Sequence, residues 1–109
     1  MHKDDLAYII HIKQCIKKIK RYTRGQTKKM FAENDLLQDA VIRNIEIIGE
    51  ASKKISLDFR SLNSNIPWKE MSGMRDKLIH HYMGVDVEMI WNTVKEDIPF
   101  LEKKLKEII

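Results

Sequence analysis

Apolar residues recur along this chain at steps of three and four, and strict alternation of apolar and polar positions is absent, which predicts helices throughout. A first helix over residues 4–22 carries Tyr8, Ile12, Cys15, Ile19 and Tyr22 on one stripe, with most lysines off it, and Gly25 follows as a stop. A second, over 35–54, opens on Asp35 as N-cap with Gln38 in capping-box position and buries Val41, Ile45, Ile48 and Ile55. Residues 61–65 are loop by composition, and Pro67 suits the first turn of a third helix over 67–83. There Met71, Met74, Leu78, His81 and Val85 form the core stripe, so Asp76 and His80 stack one turn apart on the far side, flanked by Arg75, Ile79 and Tyr82. The last segment buries Val87, Ile90, Val94, Ile98, Leu101, Leu105 and Ile108, with Pro99 breaking it and Asp97 capping the second piece. The expected fold is all-α: an up-and-down bundle of four long helices, the last broken near Pro99, in a single domain spanning residues 1–109.

Length and composition narrow the picture. With 109 residues and 43% hydrophobic content, the chain supports one core, and a second copy is the natural cover for any apolar face left exposed. Twenty Lys and Arg against 16 Asp and Glu give a net charge of +4, which admits a polyanionic partner without demanding one. The local distribution is sharper. No acid lies between Leu6 and Ala32, while Lys13, Lys17, Lys18, Lys20, Arg21, Arg24, Lys28 and Lys29 all do. Such a run is either a solvated face or a surface that tracks phosphates, with Lys17, Arg21, Arg24 and, further on, Lys77 as RNA-contacting candidates. A lone Cys15 rules out an intrachain disulfide and a cysteine-based metal cage, and points to a reducing compartment, the cytoplasm. The acidic start and the absence of a membrane-length apolar run predict neither signal peptide nor membrane span.

Chemistry concentrates in one stretch, residues 75–82, where a guanidinium, a carboxylate, imidazoles and a phenol crowd together. Cleaving RNA without metal needs such groups: a base for the ribose 2′-hydroxyl, an acid for the leaving 5′-oxygen and a cation for the phosphoryl oxygens. His80 can serve either proton step near neutral pH, and Arg75 can grip two phosphate oxygens. One His80 does not easily serve as both acid and base in a single turnover; two copies across a two-fold axis would divide the work. Asp76, one turn before His80, is placed to orient the imidazole or raise its basicity. The same residues on an ordinary solvated helix face would need no chemistry, His81 suits a core or interface role, and Tyr82 alone suits packing.

The spacing Arg75, four residues, His80, one residue, Tyr82 resembles the R-x4-H-x-Y motif of the HepT toxins, a branch of the HEPN superfamily. The resemblance runs along nearly the whole chain. Residues 41–51, Val-Ile-Arg-Asn-Ile-Glu-Ile-Ile-Gly-Glu-Ala, look like the family's second-helix signature. Ile66-Pro67-Trp68 and Gly73-Met74-Arg75-Asp76 look like the approach to its motif, and Val85-Asp86, Trp91 and Asp97-Ile98-Pro99 continue the match. The resemblance implies a homodimeric, metal-independent endoribonuclease without cofactor, encoded beside a nucleotidyltransferase antitoxin of the MntA kind. It implies catalytic roles for Arg75 and His80 and makes Tyr82 the residue to which the partner attaches AMP, placing charge and bulk where an RNA phosphate must sit. Asp76 departs from the asparagine frequent at its position. No catalytic role is carried onto Arg43 or Glu50, whose pairings, Arg43 with Glu46 and Glu50 with Lys54, read as surface charges.

Two other classes compete. A non-catalytic module could bind a nucleotidyltransferase or a nucleotide through the same polar face. A metal hydrolase is disfavoured, since His80 and His81 diverge by about 100° on a helix and no pair of histidines stands one turn apart there. Glycine-rich phosphate loops are absent as well.

Overall fold

The computed structural model describes residues 3–80 and 84–108, without the side chains of Lys3, Ile79 and His80. Apart from one two-stranded hairpin, the regular structure of these residues is helical. The first helix, α1 (Lys3–Thr23), has Asp4 and Asp5 in its first turn and Lys20 and Arg21 in its last, each sign opposite to the helix dipole end it meets. It buries Ile9, Ile12, Cys15, Ile16 and Ile19, and stops at Gly25, whose φ of 75° is cheap only for glycine.

Two short helices escape the periodicity because each spans less than two turns. The first, α2 (Lys28–Ala32), is capped by Thr27 and buries Phe31 against Trp91, with ring centroids 5.3 Å apart. The long α3 (Asp35–Lys54) then begins one residue earlier than the capping-box pattern suggests. Asn34, not Asp35, is the N-cap, its Oδ1 accepting from the Leu37 amide at 3.0 Å. Gln38 does not close a capping box. Its Nε2 donates to the Phe31 and Ala32 carbonyls, satisfying the end of α2, a demand invisible until α2 exists. The second short helix, α4 (Leu57–Leu62), is capped by Ser56 and runs two residues into the stretch 61–65 expected to be loop; Phe59 drives it by packing edge-on against Trp68.

The third long element, α5, runs from Trp68 to Leu78, with the Pro67 carbonyl accepting from Met71 just before it. Its end corrects the expectation of a helix to residue 83. Ile79–His80 (β1) is extended and pairs antiparallel with Gly84–Val85 (β2), Ile79 opposite Val85 and His80 opposite Gly84. A run of β-branched, histidine and aromatic residues has little helix propensity to oppose this. Gly84 supplies the positive φ of 76°, and the Leu78 carbonyl takes the Asp86 amide at 2.8 Å. Met71, Met74 and Leu78 are buried as expected, whereas Val85 is exposed and His81 lies outside the described residues.

The C-terminal rod comprises α6 (Val87–Asn92), a π-helical turn (Thr93–Asp97) and α7 (Ile98–Leu105). Pro99 does not interrupt it, and Asp97 is helical with no side-chain capping bond. The wide turn, in which the Ile98 amide reaches back to the Thr93 carbonyl, lets the chain stay helical beside a proline that offers no amide.

Pairs of contacts fix the directions. Asp5, buried at the start of α1, accepts from the Ser56 amide and hydroxyl at the far end of α3, so these helices run antiparallel. Ser52 with Ser72, and Glu46 with Arg75, make α3 and α5 antiparallel too. Ile9, Ile12 and Ile19 of α1, Val41, Ile45 and Ile48 of α3, Met71 and Leu78 of α5, and Ile90, Ile98 and Leu105 of the rod form one contiguous core.

Candidate active site

Arg75 stands in the last turn of α5, with its neighbours Met74 and Leu78 in the core holding that turn down. Its position depends on how closely α5 approaches α3. At Gly49 an added Cβ would lie 3.3 Å from the Ser72 carbonyl oxygen and 3.4 Å from that of Met71, so the absence of a side chain lets the two backbones meet. Ser72 and Ser52 face each other at 3.5 Å in the same seam, and Ser72 also donates back to the Trp68 carbonyl.

One turn before Gly49 on α3, Glu46 reaches across this seam. Its Oε2 accepts from Nε of Arg75 at 3.0 Å. Held by that inner nitrogen, the guanidinium keeps its two terminal nitrogens for another ligand, a geometry suited to a phosphate. The Arg75 side chain is 49% exposed and Glu46 31%, so the pair is open to a solute. Asp76 makes only a 3.9 Å approach to Nη1 of Arg75 and is 83% exposed. Lys77 is exposed on the same turn.

The site therefore differs from the helical stack expected from the residue order. Because α5 ends at Leu78, Asp76 and His80 are not one turn apart on a continuous helix; Asp76 is on α5 and His80 is in the extended β1, its backbone opposite Gly84. The side chain of His80 and the whole of Tyr82 lie outside the described residues. Arg43 does not pair with Glu46, which is engaged by Arg75, and Glu50 meets Lys53 at 3.7 Å rather than Lys54. The cations Lys17 and Arg21 sit on α1 and Arg24 in the turn that follows it, away from the helix that carries Arg75 and Lys77. Arg21 stacks over Tyr22, 5.3 Å from the ring centroid.

Glu46 is a site residue that the motif spacing does not announce. A signal for it nevertheless exists: Gly49 in the middle of an otherwise strong helix marks a close backbone neighbour, and Glu46, three residues earlier, shares that face.

Comparison with known proteins agrees along the whole chain. The family "Ribonuclease HepT-like" matches residues 12–108. A protein of Thermococcus cleftensis named "Probable ribonuclease HepT" is 50% identical over 107 residues, covering 98% of this chain and 94% of that protein. One from Caldanaerobacter subterraneus subsp. tengcongensis, named a "Putative RNase", is 44% identical over 98% of this chain and 96% of its own length. A "Gamma-glutamylcyclotransferase and putative RNase" of Methanocaldococcus jannaschii is 47% identical over 109 residues, and this chain spans 49% of its length. No solved structure matches. With the Arg75-x4-His80-x-Tyr82 spacing, the anchored guanidinium and a family match over most of its length, the chain belongs to the HepT-like ribonuclease family.

Proposed function

We propose that this chain is the toxin of a type VII toxin–antitoxin system, a metal-independent endoribonuclease that works in the cytoplasm as a homodimer of single-domain protomers. The observation that carries the reading is Arg75, fixed through Nε by Glu46 five residues before His80 with its terminal nitrogens free of the Glu46 bond. In the reaction, the 2′-oxygen attacks the adjacent phosphorus, forming a 2′,3′-cyclic phosphate as the bond to the 5′-oxygen breaks. One His80 takes the 2′-proton, a second His80 from the other protomer protonates the leaving 5′-oxygen, and Arg75 stabilises the charge on the phosphoryl oxygens. Leu57 and Leu62 on α4, 72% and 81% exposed, are consistent with a surface that a second protomer covers.

Neutralisation would proceed by AMPylation of Tyr82 by an MntA-like nucleotidyltransferase antitoxin. The family spacing is what supports this role. The purified chain is expected to cleave RNA in the presence of EDTA, leaving cyclic phosphate and 5′-hydroxyl ends. The His80→Ala protein should do neither this nor arrest growth, and activity abolished by EDTA would sink the metal-free mechanism. Coexpression with the nucleotidyltransferase should add one adenylate to the wild type and none to Tyr82→Phe. A chain that binds that partner but never cuts RNA would instead be the non-catalytic module.

A further inference from the structure

We propose that the seam between α1 and the C-terminal rod is a second RNA-contacting surface, a cation-lined groove that carries the phosphate backbone of the substrate. The inference rests on the RNA reading above but on a different helix pair. On α1, Lys13, Lys17 and Lys20 follow at steps of four and three, which places them on one stripe, and Arg24, in the turn just past the helix, lines the same cavity as Lys20. On the rod, Lys95, Pro99 and Glu102 follow at steps of four and three, and Lys106, the C-cap of α7, comes four residues later. The two helices run antiparallel here, because Lys13 and Lys17 share a cavity with Lys106, whereas Arg24 shares one with Lys95.

Those cavities, about 230 and 280 Å³, lie in succession along the seam, joined where Lys20 meets Glu102 at 2.7 Å. Cations thus line both walls of a groove that side chains leave unfilled. Among its lining residues Glu102 is the one carboxylate, and Lys20 already holds it. Lys95 lies over the Trp91 ring, 4.7 Å from its centroid, and Lys20 pairs with Glu102, but Lys17, Arg24 and Lys106 add like charge to the same groove, and a bound polyanion would turn that repulsion into attraction.

A nucleic-acid backbone fits better than an acidic protein. The α1 cations recur about once per helical turn of 5.4 Å over a stripe about 10 Å long, with Arg24 just beyond it, a periodic charge suited to a repeating anion. The apolar lining is limited to Ile16, Val94 and Pro99, with none of the aromatic anchors that dominate protein interfaces. Arg75 belongs to the α3–α5 seam, so RNA long enough to occupy both surfaces would gain affinity from the groove.

The test measures binding of a labelled 20-nucleotide single-stranded RNA by fluorescence anisotropy across KCl concentrations, with every protein carrying His80→Ala so that cleavage does not intervene. Replacing Lys17, Arg24 and Lys106 together by Ala should weaken binding at least about tenfold at low salt. It should flatten the slope of log K against log salt by about 2, at about 0.7 for each phosphate no longer neutralised. The same number of charges removed at Lys53, Lys54 and Lys69 should change the slope far less, and Lys17→Ala alone should flatten it by about 0.7. The groove variant should melt no lower than its parent, since repulsion is relieved. An unchanged slope, an equal effect from the control set, a lower melting point, or poly-glutamate bound as tightly as RNA would each overturn the proposal. Expected binding behaviour in a chain whose wild type cuts no RNA would refute the nuclease reading and leave the groove standing.

Discussion

Two antiparallel seams of this molecule are built on opposite principles. Between α3 and α5 the backbones meet at Gly49, hydroxyls of Ser52 and Ser72 face each other, and opposite charges join at Glu46 and Arg75. Between α1 and the rod, long cationic side chains line open cavities on both sides, and Lys20 pairs with Glu102. The first seam is closed and positions a single guanidinium to within a hydrogen bond. The second is open and offers an array of charges, of which Lys20 is held by Glu102 and Lys95 lies over the Trp91 ring. Reaction chemistry needs the former, because a misplaced phosphate ligand loses its effect; backbone tracking needs only the latter, because screened charges act over several ångströms.

That contrast can be broken most strongly at Arg75. Arg75→Ala should lower cleavage by about 100-fold or more while leaving the thermal midpoint within a degree or two of wild type, as befits an exposed charge. A midpoint that collapsed with activity would make Arg75 a structural residue. Next, Gly49→Val pushes two backbones apart, and overpacking of this kind costs about 2 kcal/mol, or about 10 °C in the thermal midpoint of a domain this size. Cleavage should fall with it, measured well below the midpoint, because Arg75 moves away from Glu46.

A smaller effect is expected at the pair itself. Glu46→Gln keeps a hydrogen-bond acceptor for Nε and should cost less activity than Glu46→Ala, whose loss should be about tenfold and expressed in kcat. Equal losses in both variants would show that charge, and not orientation, is what Glu46 supplies. Both should leave stability within about 1 kcal/mol of wild type, since exposed ion pairs contribute little.

The smallest effect lies in the core, at Cys15 on α1. Burial pushes the Cys15 thiol up, with Lys18 and Arg43 opposing from nearby. The folded chain then holds its thiol proton where the unfolded chain has released it, so stability is full below the ordinary thiol value of about 8.5 and declines as pH rises above it. Urea unfolding at a series of pH values should show that decline, and Cys15→Ala should flatten it. A thiol reagent at pH 8 should label the folded protein only as fast as it opens.

Much of the fold was legible in the chain. The spacing of Ile12, Cys15 and Ile19, of Val41, Ile45 and Ile48, and of Ile90, Val94, Ile98 and Leu101 announced the stripes that became the core, because a helix converts three- and four-residue steps into one face wherever it forms. The hairpin at Ile79–His80 was not legible, since its extended geometry depends on pairing with Gly84–Val85 and on a bond from Asp86 to Leu78. Nor were α2 and α4, too short to show a period and held by Phe31 against Trp91 and Phe59 against Trp68.

Of the candidate site, the amino-acid order supplied the residue types and their spacing: Arg75, His80 and Tyr82 could be named from it, as could the acid-free basic run of α1. Packing added what no local pattern contains, namely that Glu46 meets Arg75 and that the stripe beginning at Lys13 faces the one ending at Lys106. A helix repeats by local hydrogen bonding, so its buried face can be computed from one segment; which neighbour that face meets, and in what register, is settled by contacts between segments far apart in the chain.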